Sequence, residues 1–162
     1  MDDTTFWTLI DDARRAAPDI FDRPAALRNV LMKRTPEDVQ AFQEAYIAHI
    51  YRAYTWPLWG AAYVIRGGCS DDGFDYFRDW LVSEGRAVYD NALANPETLV
   101  DADGGEEFEL EEFRYAADEA YKALTGRDMA PDYPAFPAEP SGEEWDEETV
   151  PSVFPKLAAK YW

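Results

Sequence analysis

Proline places the strongest constraint on this chain, because it fixes its own φ, lacks a backbone donor and breaks any helix whose interior it enters. Of the eleven prolines, Pro18, Pro24, Pro36, Pro57 and Pro96 are widely spaced, whereas Pro131, Pro134, Pro137, Pro140, Pro151 and Pro155 crowd the C-terminal segment. Between the early prolines there is room for helices. Among the late ones there is room for neither a long helix nor an interior strand.

Apolar spacing of three and four residues fills the room that is left. Thr4 or Thr5 can cap a first helix carrying Phe6, Leu9, Ile10 and Ala13, stopping before Pro18. Asp22 and Pro24 open a second, with Leu27, Val30 and Leu31 on one face. Thr35-Pro36-Glu37-Asp38 supplies a cap, a first-turn proline and two acids at the positive helix end, followed by the stripe Val39, Phe42, Tyr46, His49, Ile50 and Ala53. Trp56 to Ile65 reads as a buried helix, with a strand as the alternative for Tyr63 to Ile65. Gly67-Gly68 ends it, and Ser70-Asp71-Asp72 caps a fifth helix carrying Phe74, Phe77, Trp80 and Leu81. A helix over Arg86 to Leu93 stops near Asn95-Pro96, and after an acidic loop from Asp101 to Glu107 a last one runs from Glu109 to Thr125, with Leu110, Phe113, Ala117, Tyr121 and Leu124 inward and Gly126 as its stop.

The spacing therefore predicts a mainly α, compact multi-helix single domain of about seven helices over residues 1–127, and an irregular, proline-rich acidic segment over 128–162. Tyr133, Phe136, Trp145, Phe154, Tyr161 and Trp162 would be costly to leave in water, so this tail is expected to pack on the helical body, with a short helix near Val153 to Lys160 and room for short strands.

Charge narrows the partners. The chain carries 33 Asp and Glu against 15 Lys and Arg, a formal charge of -18, with the excess acid beyond residue 35. Such a surface repels phosphate backbones and anionic lipid, which excludes nucleic acid and membrane surfaces as natural partners and favours cations or a basic protein surface. A single cysteine forms no internal disulfide, Met1-Asp2-Asp3 lacks the start of a signal peptide, and no apolar stretch is long enough to span a bilayer, so a reducing cytoplasm is the expectation. The excess of arginine over lysine hints at a GC-rich bacterial genome.

The most unusual stretch is Trp56 to Leu81, centred on Gly67-Gly68-Cys69-Ser70-Asp71-Asp72-Gly73. A glycine turn ahead of a helix N-terminus often holds an anion, but Asp71 and Asp72 already answer the helix dipole. Cys69 with His49, the lone imidazole, would make a nucleophile and base only if the third helix brought them together; a core histidine and a buried thiol are the commoner outcome. With one Cys and one His no zinc cluster exists, and neither Asp71, Asp72 and Asp75 nor Asp101, Asp103, Glu106, Glu107 and Glu109 match a calcium loop, so no metal and no cofactor is implied. No two carboxylates between Glu106 and Glu112 are placed across a pocket by spacing alone, and no complete catalytic constellation is legible. Trp59, Tyr63, Cys69, Asp71, Asp72, Trp80 and His49 are the candidate lining of a ligand pocket.

The same stretch resembles an uncharacterised bacterial family, a domain of unknown function abundant in actinobacteria. The residues that carry the resemblance are Phe6-Trp7 with Leu9-Ile10, Trp56 with Leu58 to Tyr63, the run Gly67 to Phe74, Tyr76-Phe77-Arg78 with Trp80-Leu81, then Glu112-Phe113 and Ala120-Tyr121. It spans residues 4–127, leaves the tail outside, and implies a single domain without an assigned activity. Two functions fit. In the first the protein is non-enzymatic and meets a basic protein surface with its acidic loop and tail, including Glu143, Glu144, Glu147 and Glu148. In the second it is a small-molecule- or cation-binding protein, or an enzyme, with its pocket around Gly67 to Gly73.

Overall fold

The computed structural model describes residues 1–105 and 108–162. Its helices are α1 (Asp3–Ala16), α2 (Arg23–Leu31), α3 (Pro36–Arg52), α4 (Trp56–Arg66), α5 (Asp71–Ser83), α6 (Arg86–Ala94), α7 (Ala116–Thr125), α8 (Val150–Val153) and α9 (Pro155–Tyr161). Single 3-10 turns at Ile20–Asp22, Pro96–Asp101 and Glu111–Tyr115 join them. Among the described residues there is no strand, only an isolated bridge between Thr55 and Ser141, and Tyr63 to Ile65 are helical. No helix among them is long and apolar enough to cross a membrane.

Local chemistry explains most boundaries. Thr35, Thr55 and Ser70 each accept a backbone N–H of the turn they precede, and Gly67 and Gly126 close α4 and α7 in the left-handed conformation that glycine adopts without a Cβ clash. The cap of α1 is Asp2 rather than Thr4 or Thr5: its Oδ1 accepts from Thr5 N–H at 2.9 Å, and its charge complements the helix dipole as a hydroxyl does not.

The helix expected over Glu109 to Thr125 is broken. Leu110 N–H donates to the Tyr76 carbonyl of α5 at 3.1 Å, and the chain then winds as a 3-10 turn before α7 begins at Ala116. The tighter turn sends Phe113 into the core and Arg114 back toward α5, two demands that one regular helix does not meet. The buried face of α7 is Ala116, Ala117 and Ala120, so Leu124 is exposed rather than inward.

The centre of the molecule is α5. It packs on α1, α3, α4, α6 and the Glu111–Tyr115 turn, and from Phe77 to Ser83 every residue is buried, Arg78 and Asp79 included. α1 lies on α2, and α7 bridges α2 and α3. The tail folds back across α4, where Val150, Phe154 and Leu157 enter the core, α9 packs on α4 and on the Pro96–Asp101 turn, and Lys160 Nζ donates to the Val100 carbonyl at 2.7 Å. The tail aromatics divide: Phe154 is buried and Trp145 and Tyr161 half-buried, but Tyr133, Phe136 and Trp162 remain largely exposed. Proline spacing stiffens the tail, so not every ring can turn inward.

Candidate functional site: an acidic, aromatic face around the buried Asp79

The residues singled out from the sequence sit in several environments, some exposed and some in the core. Trp59 and Cys69 do meet, with Trp59 Nε1–H donating to the Cys69 carbonyl at 2.9 Å. The Cys69 thiol is half-buried beside the Arg66 guanidinium, and burial raises its pKa despite that cation. Tyr63 packs on Trp145 and Trp162 of the tail, and Asp71 and Asp72 are exposed in the first turn of α5. Trp80 is fully buried between Phe77 and Phe108. His49 sits among Phe6, Trp7 and Tyr89, its Nε2 3.1 Å from Asp3 Oδ1 and its Nδ1 buried without a partner. Among the described residues no hydrogen bond joins His49 to Cys69, whose thiol bonds are to Arg66 and Ser70. Glu106 and Glu107 lie outside the described residues.

The densest chemistry lies one turn further along α5. Asp79 is fully buried; its Oδ1 accepts from the Tyr46 hydroxyl at 2.5 Å and its Oδ2 from Arg114 at 2.7 Å. Burial pushes its carboxyl up to about 7, against the opposing pull of Arg114 and Tyr46. Arg78, also buried, donates to the Ile50 carbonyl at 3.0 Å, pairs with Asp75 and lies against the rings of Tyr54 and Phe74. Every strong charge on the buried side of α5 thus has a partner on another element or one turn away, as a low-dielectric site requires. The sequence carries a signal for it: Arg78 lies four residues after Phe74 on the apolar stripe of α5, where a charge must find a partner.

Two hollows flank this network. One, of about 200 Å³, opens between α3, α5 and the Glu111–Tyr115 turn, with Gln43, Tyr46, Asp79, Arg114 and Asp118 in its lining and Phe136 of the tail at its edge. The other, of about 570 Å³, has Phe21, Tyr76, Phe108, Glu109, Glu111 and Glu112 among its described lining. Phe21 is 72% exposed there, an unusual state for a large apolar ring. Phe108 has a φ of 53°, a strained value for a residue with a Cβ, held by edge-on packing of its ring against Trp80 and Tyr161. Glu109 is paired with Arg66, whereas Glu111 and Glu112 have no basic partner among the described salt bridges. Among the described residues no three Asp, Glu, His or Cys side chains gather as metal ligands would.

Fold and face together define a compact helical domain with an acidic, aromatic surface beside the buried network of Arg78, Asp79 and Arg114. The chain belongs to the family described as protein of unknown function (DUF4240), which matches residues 1–123. No curated protein and no solved structure matches it.

Proposed function

We propose that the protein is a non-enzymatic binding protein whose acidic, aromatic face receives a basic surface of another protein. The observation that carries this reading is the hollow of about 570 Å³, in which the exposed Phe21 and half-buried Tyr76 stand beside Glu111 and Glu112, with the buried Phe108 also in its lining. Aromatic faces attract lysine and arginine cations, carboxylates fix their position, and the charge of -18 raises the rate of encounter with a basic partner. The tail carboxylates Glu143, Glu144, Glu147 and Glu148 are exposed as well and add to the negative charge. The lone thiol fits a reducing cytoplasm, and the run from Gly67 to Phe74 with the arginine excess supports a bacterial, actinobacterial origin.

A peptide of alternating arginine and lysine is the defined probe. Its affinity should fall steeply with added salt, and Glu111→Lys with Glu112→Lys should weaken it about tenfold, since two exposed pairs turn from attraction to repulsion. Phe21→Ala should weaken it further without changing the salt slope. Binding that survives both the double reversal and reversal of the four tail glutamates removes the proposal.

A further inference from the structure

We infer that residues 130–137 are a preformed polyproline II ligand for a partner protein whose recognition groove is lined by aromatic rings and rimmed by lysine or arginine. The inference uses none of the residues around Phe21 and stands apart from that docking face.

The sequence dictates the conformation of this strap. Pro131, Pro134 and Pro137 recur at every third position, which is the period of a polyproline II helix. Each proline fixes its own φ and drives the residue before it, Ala130, Tyr133 or Phe136, out of the α region into extended backbone. In the structure residues 128–137 accordingly form no helix, strand or hydrogen-bonded turn. Pro131 and Pro137 are half-buried, whereas every residue from Asp132 to Phe136 between them is exposed.

Tertiary contacts then hold the strap in place. Asp132 N–H donates to Glu44 Oε1 at 3.0 Å, and the Phe136 ring lies 5.3 Å from that of Tyr51 and 4.8 Å from that of Tyr54. Just beyond, Ser141 N–H donates to the Tyr54 carbonyl at 3.0 Å and its carbonyl accepts from Trp56 N–H at 2.8 Å. A segment ordered in advance loses little further conformational entropy when a partner binds it.

What the strap leaves open defines that partner. Among the described residues no carbonyl from Asp128 to Pro140 accepts a hydrogen bond, so the segment offers a row of unpaired acceptors to donors such as the indole N–H of tryptophan and the hydroxyl of tyrosine. Pro134 stands exposed between Tyr133 and Phe136, themselves 43% and 50% exposed, and the three make an apolar ridge of the kind that aromatic-lined grooves receive. Charge sets the rim. No lysine or arginine occurs between Arg127 and Lys156, and Asp132 and Glu139 flank the ridge, so a groove edged with carboxylates is repelled and one edged with lysine or arginine is attracted. A mere spacer between α7 and α8 requires reach alone, and neither a three-residue proline period nor an exposed aromatic ridge. The strap also lies outside residues 1–123, where the family match ends.

Two versions of one isolated WW domain, with lysines or with glutamates at the edge of its aromatic groove, test the strap when titrated into the isotope-labelled full chain and followed by NMR. The backbone amide resonances of Asp132, Tyr133, Ala135 and Phe136 should move and saturate with the lysine version, with a Kd below about 1 mM, and the glutamate version should bind about tenfold more weakly. Pro134→Ala, at an exposed position, should weaken binding about tenfold while lowering the thermal midpoint by no more than about 4 °C. Asp132→Lys with Glu139→Lys should make the glutamate version the tighter binder. Strap resonances that stay in place with both versions, or that move equally in the Pro134→Ala protein, overturn the inference. Shifts confined to the residues around Phe21, Glu111 and Glu112 overturn it as well and assign the contact to the docking face.

Discussion

Asp79 is the side chain whose surroundings differ most from water, and its titration gives the clearest prediction at the scale of one residue. Its carboxyl holds a proton up to about pH 7 in the folded chain, whereas the unfolded chain releases it near 3.8. The folded state then binds more protons across that interval, so the stability Asp79 contributes is full below about pH 4 and is lost as pH rises through 7. Denaturant midpoints for the wild type and Asp79→Asn should diverge over this range, the wild type losing ground as pH rises; a constant difference would contradict the protonated form. His49 runs the other way. Burial among Phe6, Trp7 and Tyr89 lowers its pKa despite Asp3, because a second ring proton would have no acceptor at Nδ1. Its stabilising contribution is present above its ordinary 6.5 and falls away as pH drops through the lower folded value, which a histidine Cε1 proton titration by NMR would locate. Cys69, with its thiol raised by burial, should react with a mild thiol reagent at pH 7 more slowly than a free cysteine.

Helices were legible because their signals are local. Thr35 and Ser70 were readable as caps, and the stripe from Val39 to Ala53 as an inward face, since each depends on residues within one turn. Ser70→Ala should therefore lower stability by about 1 kcal/mol, read as a shift in the thermal midpoint. The Glu111–Tyr115 turn was not legible, because what breaks the helix is a hydrogen bond to Tyr76 and the reach of Arg114 to Asp79, neither of which leaves a mark in neighbouring residues. The seam between α4 and the tail is similar. A Cβ on Gly60 would lie about 3 Å from atoms of Trp145, Phe154 and Val150, so the glycine permits the close approach. Gly60→Val should destabilise the protein by about 1–3 kcal/mol through overpacking and should speed hydrogen exchange in residues 145–161 more than in α3.

At the scale of the whole molecule the dominant quantity is the charge of -18. It repels itself in the compact state, so the thermal midpoint should rise between about 0.15 and 1 M salt, as the screening length shrinks from about 8 to 3 Å; a fall would mean that the buried ion pairs, Arg78 with Asp75 and Arg23 with Glu84, outweigh the surface. The sequence by itself determined the helical class, most helix boundaries, the acidic character and membership of a family. The first three are set by composition or by contacts within a few positions along the chain, and the last by a match that runs over residues 1–123. Only the tertiary structure decided which charges are buried and which hollows they line. Asp79 meets Tyr46 and Arg114 across 33 and 35 positions, and Phe136 reaches Tyr51 only because the tail is anchored at Glu44 and Tyr54. Such pairings are chosen by the packing of α3, α5 and the 3-10 turn around one core, and no short-range pattern encodes them.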